Sequence, residues 1–170
     1  MQPKNIILIG MPGAGKSTIG VLLAKALGKA FVDTDLLIQA KEGRLLQEII
    51  NEQGINRFLE IEAGVILGLE ADNTIIATGG SAIYSDKAIA HLKENGVVVY
   101  LKLTYEAIEQ RINNMASRGI VIGQGQSLFD LYRERVPKYE RQSDLVLDCS
   151  GQSIEESVQS AKEKLIGFSF

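Results

Sequence analysis

The chain has 170 residues, of which 45% are hydrophobic and 23% charged, and its formal net charge is −3. This length suits one domain with a sizeable core, and the slightly acidic balance disfavours nucleic acid as a main partner. A single cysteine excludes an intramolecular disulfide and suits a reducing compartment. No apolar run approaches the roughly 20 residues that cross a bilayer, so no membrane partner is expected. We therefore expect one cytoplasmic, monomeric domain over residues 1–170.

Short aliphatic runs alternate with segments of helical periodicity along the chain. Continuous apolar runs are typical of strands buried on both faces of a parallel sheet. Helical spacing of apolar residues marks the segments between them, as in 19–27 and 154–165. The pattern predicts an α/β fold of three layers, with a mainly parallel sheet of about five strands between two layers of helices. The runs are Ile6-Ile7-Leu8-Ile9, Phe31-Val32, Thr74-Ile75-Ile76-Ala77, Val97-Val98-Val99-Tyr100-Leu101 and Leu145-Val146-Leu147.

A glycine-rich segment follows the first predicted strand. Residues 10–17 read Gly-Met-Pro-Gly-Ala-Gly-Lys-Ser, which matches the phosphate-binding pattern of Gly, four residues, Gly, Lys and Ser or Thr. Backbone N–H groups of such a loop, and the helix N-terminus behind it, bind nucleotide phosphates. Lys16 is expected at the β- and γ-phosphates of ATP and Ser17 on Mg²⁺. The predicted nucleotide-binding residues of this P-loop are Gly13, Ala14, Gly15, Lys16, Ser17 and Thr18.

Two carboxylates follow the second predicted strand. Asp33 and Asp35 lie at its carboxyl end, where parallel sheets of this class bind ligands. Asp33 can hold Mg²⁺ directly or through water, and Asp35 can accept the proton of an acceptor hydroxyl. Alternatively, one of the two caps the helix predicted to begin at Leu36, and we expect capping as an additional role of Asp35.

The order of these motifs resembles the shikimate kinase family. After the P-loop and the Asp33-Thr34-Asp35 step come Thr78-Gly79-Gly80 and Arg135-Val136-Pro137-Lys138-Tyr139, in the order that this family shows. The likeness spans nearly the whole chain. It implies a P-loop kinase fold with a lid loop, and an ATP- and Mg²⁺-dependent kinase of a small hydroxy acid in aromatic amino-acid biosynthesis.

The resemblance also implies roles for three arginines. Arg111 would pack on adenine, and Arg118 would belong to a lid, at about residues 116–127, that closes over the phosphates. Arg135 would be a cationic anchor for an anionic acceptor. Arg111 and Arg118 could instead be solvated charges, Arg135 a helix-surface charge, and the glycine-containing lid segment an ordinary surface loop.

Two positions depart from the family's acceptor pocket. The family's Phe-Arg-x-x-Glu motif, whose arginine grips the acceptor carboxylate, aligns with residues 58–62, so that Leu59 replaces the arginine. A shift of two residues would use Arg57 instead, with Glu60 as the acid. Ser81 replaces the third of three consecutive glycines. If Leu59 holds the arginine position, Leu59→Arg should strengthen shikimate binding.

The leading hypothesis is phosphoryl transfer from ATP to a hydroxyl of shikimate or a shikimate-like small acid. The residues expected to contact the acceptor are Asp35, Arg57 or Leu59, Gly79, Gly80, Ser81 and Arg135. Two alternatives stay open, namely a kinase of another polyol or sugar acid such as gluconate, and a nucleotide-binding module without kinase activity. We expect no catalytic role for His91 or Cys149.

Overall fold

The computed structural model describes residues 4–113 and 120–168. Within these ranges five strands form one sheet in the order β2-β3-β1-β4-β5, with every neighbouring pair parallel. The central strands β3, β1 and β4 are almost wholly buried, whereas the edge strands are partly exposed. The prediction of a five-stranded parallel sheet is confirmed. The strands are β1 (Asn5–Ile9), β2 (Ala30–Asp33), β3 (Thr74–Ala77), β4 (Gly96–Lys102) and β5 (Leu145–Asp148).

Seven α-helices in the same ranges flank the sheet. Gly54 interrupts the long third helix, because its φ of 82° and ψ of 166° are not helical. The two parts, 46–53 and 55–67, are therefore separate helical segments. None of these helices combines the length and apolarity that crossing a membrane requires. The helices are α1 (Lys16–Leu27), α2 (Thr34–Glu42), α3 (Leu46–Leu67), α4 (Asp86–Lys93), α5 (Tyr105–Asn113), α6 (Leu128–Gln142) and α7 (Ile154–Leu165).

Buried apolar side chains form two clusters. The larger cluster covers both faces of the sheet and includes strand residues such as Ile7 and Val98. The smaller cluster joins α2, α3 and the segment before α6, and it contains Ile38, Ile49, Phe58, Ile61 and Val121. This separate cluster supports one wall of the cleft described below.

The start of α2 differs from the sequence prediction. The helix begins at Thr34 rather than Leu36, and its N-cap is Asp33. The Asp33 Oδ1 atom accepts a hydrogen bond of 3.0 Å from the backbone N–H of Asp35. The prediction that Asp35 caps this helix is therefore wrong, since Asp35 already lies in the first turn and donates to the cap.

Candidate active site

A cleft of about 440 Å³ opens at the carboxyl ends of the strands. The loop between β1 and α1 forms one wall, and α2 with the first part of α3 forms the other. This volume lies in the range typical of small-molecule sites. The cleft brings together Lys16, Ser17, Asp33, Asp35 and Gly80, which the sequence had assigned to one site.

The start of α1 is suited to bind an anion. Gly15 precedes the helix with φ of 91°, a backbone conformation that residues with a Cβ rarely adopt. No side chain caps the helix, and its first turn holds no acidic residue. The first N–H groups of an α-helix have no partner within the helix, and they carry the positive end of its dipole. Lys16, Ser17 and Thr18 at this end all line the cleft, as phosphate binding requires.

Lys16 is a buried ammonium group held by the loop itself. Its Nζ donates to the carbonyl oxygens of Gly10, at 2.7 Å, and Met11, at 2.8 Å. Burial lowers the pKa of Lys16 to about 8, although nearby Asp35 favours the charged form. Phosphate oxygens next to this nitrogen would favour the charged form further, because an opposite charge stabilises it.

Ser17 and Asp33 form a pair of oxygen groups beside the phosphate loop. The Ser17 hydroxyl donates to Asp33 Oδ2 at 2.6 Å. Nowhere in the described ranges do three His, Cys, Asp or Glu side chains gather around a possible metal position. A hydroxyl oxygen and a carboxylate oxygen fit a cation such as Mg²⁺, which takes one or two protein oxygens and completes its shell with phosphate and water.

Arg135 is buried beside the cleft, where the sequence predicts an anchor for the acceptor. Its side chain is only 1% exposed. Nη2 donates to the carbonyl oxygen of Val121 at 2.7 Å, and Nε donates to the Tyr84 hydroxyl at 3.2 Å. The alternative of a helix-surface charge is therefore wrong. Arg135 lines a second cavity, of about 20 Å³, that shares Asp35 and other lining residues with the cleft.

The turn after β3 passes between the carboxylates of the site. A Cβ atom on Gly79 would collide with Glu62 Oε1 and would lie 2.7 Å from Asp35 Oδ1. Glycine at this position therefore lets the carboxylates of Glu62 and Asp35 stay where they are. The Tyr139 hydroxyl donates to the Gly80 carbonyl oxygen at 2.6 Å, which anchors the turn to α6.

Ser81 and Glu62 are linked in the second cavity. The Ser81 hydroxyl donates to Glu62 Oε2 at 2.5 Å. Burial raises the pKa of Glu62 to about 7, although the hydrogen bond from Ser81 acts in the opposite direction. The alignment of residues 58–62 with the Phe-Arg-x-x-Glu motif makes Glu62 its glutamate, although the sequence alone assigned this residue no role. A second signal is its spacing, because Glu62 follows Phe58 by four residues and therefore places an acid on the apolar face of a helix.

The structure separates the two candidate residues of α3. Phe58 and Glu62 line the second cavity, and Leu59 packs at the edge of the smaller apolar cluster. Arg57 lies on the outer surface, where its Nη1 is 2.8 Å from Glu60 Oε2. The structure therefore does not bring Arg57 to the acceptor side, because the helical phase points it to solvent with its ion-pair partner.

Of the two lid-side arginines, one lies in the described part of the chain. Arg111 Nη1 donates to the carbonyl oxygen of Gly13 at 3.1 Å, so this side chain lies against the phosphate loop. Arg118 lies outside the described residues, as does 116–119 of the predicted lid. Segment 120–127 contains no helix or strand, and Val121 within it is buried. Closure of this segment stays a prediction.

Comparison with known proteins agrees with this geometry. The shikimate kinase family model matches residues 12–166. Shikimate kinase of Bacillus anthracis is 33% identical over 162 residues, which is 95% of this chain and 98% of that protein. Shikimate kinase of Clostridium botulinum is 35% identical over 163 residues, covering 95% of this chain and 97% of its own.

A solved structure gives the same result. Shikimate kinase from Acinetobacter baumannii, in complex with shikimate, has a TM-score of 0.89 and 30% identity, covering 97% of this chain and 94% of that one. The fold, the phosphate loop and these likenesses agree over nearly the whole length. The chain therefore belongs to the shikimate kinase family and is an ATP-binding phosphotransferase that acts on a hydroxyl group.

Proposed function

We propose that the protein transfers the γ-phosphoryl group of ATP to a hydroxyl of shikimate, with Mg²⁺ as cofactor. The observation that carries the proposal is the arrangement of the cleft. The phosphate loop with Lys16 faces Asp35 across it, next to the buried Arg135. The shikimate bound to the Acinetobacter baumannii relative supports shikimate as the acceptor.

The donor side would bind ATP through the loop and α1. Lys16 Nζ would exchange its two carbonyl partners for oxygens of the β- and γ-phosphates. Ser17 and Asp33 would hold Mg²⁺, which offsets charge on the phosphate oxygens when it is bound. Arg111, which donates to the Gly13 carbonyl oxygen, would pack on the adenine.

The acceptor side would orient the hydroxyl that reacts. Asp35 accepts the proton of this hydroxyl. At the same time the hydroxyl oxygen bonds to the γ-phosphorus, and the bond from the γ-phosphorus to the leaving oxygen of ADP breaks. Arg135 pairs with the acceptor carboxylate. Positioning and charge neutralisation account for most of the catalysis in such a transfer.

The test is acceptor-dependent release of ADP, measured with shikimate and with gluconate. We expect turnover of shikimate, and a loss of at least about 100-fold in kcat for Lys16→Met because a charge at the transferred group is removed. Lys25→Met, on the exposed side of the same helix, is the matched control and should stay active. Turnover of gluconate alone, or ADP release that no acceptor stimulates, would contradict the proposal.

A further inference from the structure

Tyr84 contacts the side chain of Arg135 in two ways. It ends the short 3₁₀ helix Ala82–Tyr84 that follows the turn after β3, and it is partly buried. Its hydroxyl oxygen accepts the hydrogen bond from Arg135 Nε at 3.2 Å. Arg135 Cζ lies over its ring, 5.3 Å from the ring centroid, which is within the range of a cation–π contact. One tyrosine therefore restrains both the plane and one edge of the guanidinium group.

The bonds of Arg135 leave one end of the guanidinium group at the turn that lines the cleft. Nε and Nη2 donate to the hydroxyl of Tyr84 and to the carbonyl oxygen of Val121. Nη1 instead lies beside Gly80, since a Cβ atom on that glycine would be 3.0 Å from it. Gly80 lines both the cleft and the second cavity. Neither the hydroxyl nor the carbonyl carries a charge, so these bonds do not neutralise the cation that the acceptor carboxylate would meet.

A second set of bonds holds the Tyr84 hydroxyl in this orientation. The hydroxyl donates its proton to Glu134 Oε1 at 2.5 Å, which turns its lone pairs toward Arg135 Nε. Gln126 Nε2 donates to Glu134 Oε2 at 2.8 Å, and Gln126 Oε1 accepts from the backbone N–H of Gly123 at 3.0 Å. Burial raises the pKa of Tyr84, so the hydroxyl keeps the proton that it donates. The donors therefore run in one direction, from Arg135 through Tyr84 to Glu134.

We propose that Tyr84 is a positioning residue for the acceptor carboxylate and acts through Arg135. Its hydroxyl and ring hold the Nε edge of the guanidinium group, so that the Nη1 end is presented to the acceptor. An arginine side chain has several rotatable bonds, and ordering it before binding lowers the entropic cost of the ion pair. This inference rests on the proposed function and adds the residue that orients its carboxylate anchor.

Tyr84→Phe removes the hydroxyl and keeps the ring. We expect the KM for shikimate to rise about 5- to 10-fold, the worth of roughly one hydrogen bond, with kcat and the KM for ATP within about twofold of wild type. Tyr105→Phe is the matched control. Tyr105 also donates its hydroxyl to a glutamate, Glu109 at 2.7 Å, but it lines neither cavity, so its variant should match wild type.

An uncharged acceptor shows whether Tyr84 acts through the carboxylate. The probe is the carboxamide of shikimate, in which an amide replaces the carboxylate. Tyr84→Phe should change the KM for this amide by less than about twofold, so the preference of the enzyme for shikimate over the amide should fall about 5- to 10-fold. An equal rise of KM for both acceptors would show a general disturbance of the pocket and would contradict the proposal.

Glu134→Ala tests the same orientation from an exposed position, where substitution leaves the core intact. Without this carboxylate the Tyr84 hydroxyl is free to turn away from Arg135, and the KM for shikimate should rise about 2- to 5-fold. Loss of a negative charge near the anchor would by itself lower that KM, so the two effects have opposite signs. Glu140→Ala is the control, because Glu140 is exposed on the same helix and pairs with Lys102 instead.

The outcomes separate this inference from the proposed function. If wild type does not phosphorylate shikimate, both fail. If wild type is active but Tyr84→Phe keeps the wild-type KM for shikimate, or Glu134→Ala lowers that KM, the role of Tyr84 is wrong and the kinase function stands.

Discussion

Glu62 illustrates how burial, rather than residue type, sets the behaviour of an acid. Three ionisable side chains and one hydroxyl act on its pKa from different elements, namely Asp35 on α2, Arg135 on α6, Lys16 on α1 and the hydroxyl of Ser81 after β3. Desolvation outweighs the two cations and the hydroxyl, and the negative charge of Asp35 acts in the same direction as desolvation. The carboxyl group therefore keeps its proton to a higher pH in the folded chain than in the unfolded chain.

This difference predicts a pH dependence of stability. The pKa of Glu62 rises from 4.5 to about 7 on folding. As pH rises through this window the unfolded chain loses the proton first, so the free energy of unfolding falls. This fall in the free energy of unfolding amounts to at most roughly 3 kcal/mol. Glu62→Gln has no carboxyl group that titrates here, so its free energy of unfolding should not fall in this way.

Urea denaturation at several pH values between 5 and 8 measures the effect. Glu60→Gln serves as the control, because that side chain is 67% exposed and should follow wild type. Parallel curves for wild type and Glu62→Gln would show that Glu62 is not protonated preferentially in the folded state.

At the scale of the element, α2 depends on a residue that also belongs to the site. Asp33 accepts from the Asp35 N–H through Oδ1 and from Ser17 through Oδ2. One side chain thus fixes the start of the helix that carries Asp35 and offers an oxygen to the proposed metal. The two duties use different oxygens, so substitution can separate them.

Asp33→Asn should keep the helix and lose the metal. Asparagine caps helices as well as aspartate does, so the melting temperature should stay within roughly 2 °C of wild type. Its uncharged amide is a poorer Mg²⁺ ligand, so kcat/KM should fall and recover partly at high Mg²⁺ concentration. Asp33→Ala should lose about 1 kcal/mol of stability in addition.

Calorimetry and a Mg²⁺ titration of the activity check both parts. If Asp33→Asn melts as low as Asp33→Ala, the capping assignment is wrong. Wild-type activity of Asp33→Asn at ordinary Mg²⁺ would exclude Asp33 as a metal residue.

At the scale of the whole molecule, the two walls of the cleft rest on different apolar clusters. The phosphate loop is attached to the larger cluster, and Met11 and Ala14 are members of it. The opposite wall rests on the smaller cluster, through α2 and α3. Nucleotide and acceptor should therefore stabilise the fold through separate contacts.

Thermal unfolding with each ligand tests this arrangement. A ligand at about 100 times its Kd adds about 2.7 kcal/mol to the stability of the folded state, or roughly 5–10 °C for a domain of this size. We expect ADP·Mg²⁺ and shikimate each to raise the melting temperature of wild type. The melting temperature of Lys16→Met should no longer rise with ADP·Mg²⁺ but should still rise with shikimate. If neither ligand raises it, the two walls of the cleft do not bind their ligands independently.

The sequence by itself determined the five strands, their alternation with helices and the phosphate loop. The signals for these features are contiguous, since the loop motif lies within residues 10–17 and each strand is marked by its own short apolar run. The motif order was also enough to indicate the shikimate kinase family. Local pattern carries such features because the interactions that create them are local.

Only the tertiary structure decided how the residues of the predicted acceptor side meet. Gly79, Glu62, Asp35 and Arg135 come from separate elements, and the sequence holds no signal for the distances between their side chains. Helical phase turned Arg57 to solvent, and packing left Glu62 buried with one oxygen unpaired. The physical reason is that burial and pairing depend on neighbours brought together by the sheet order, which residue spacing along the chain does not encode.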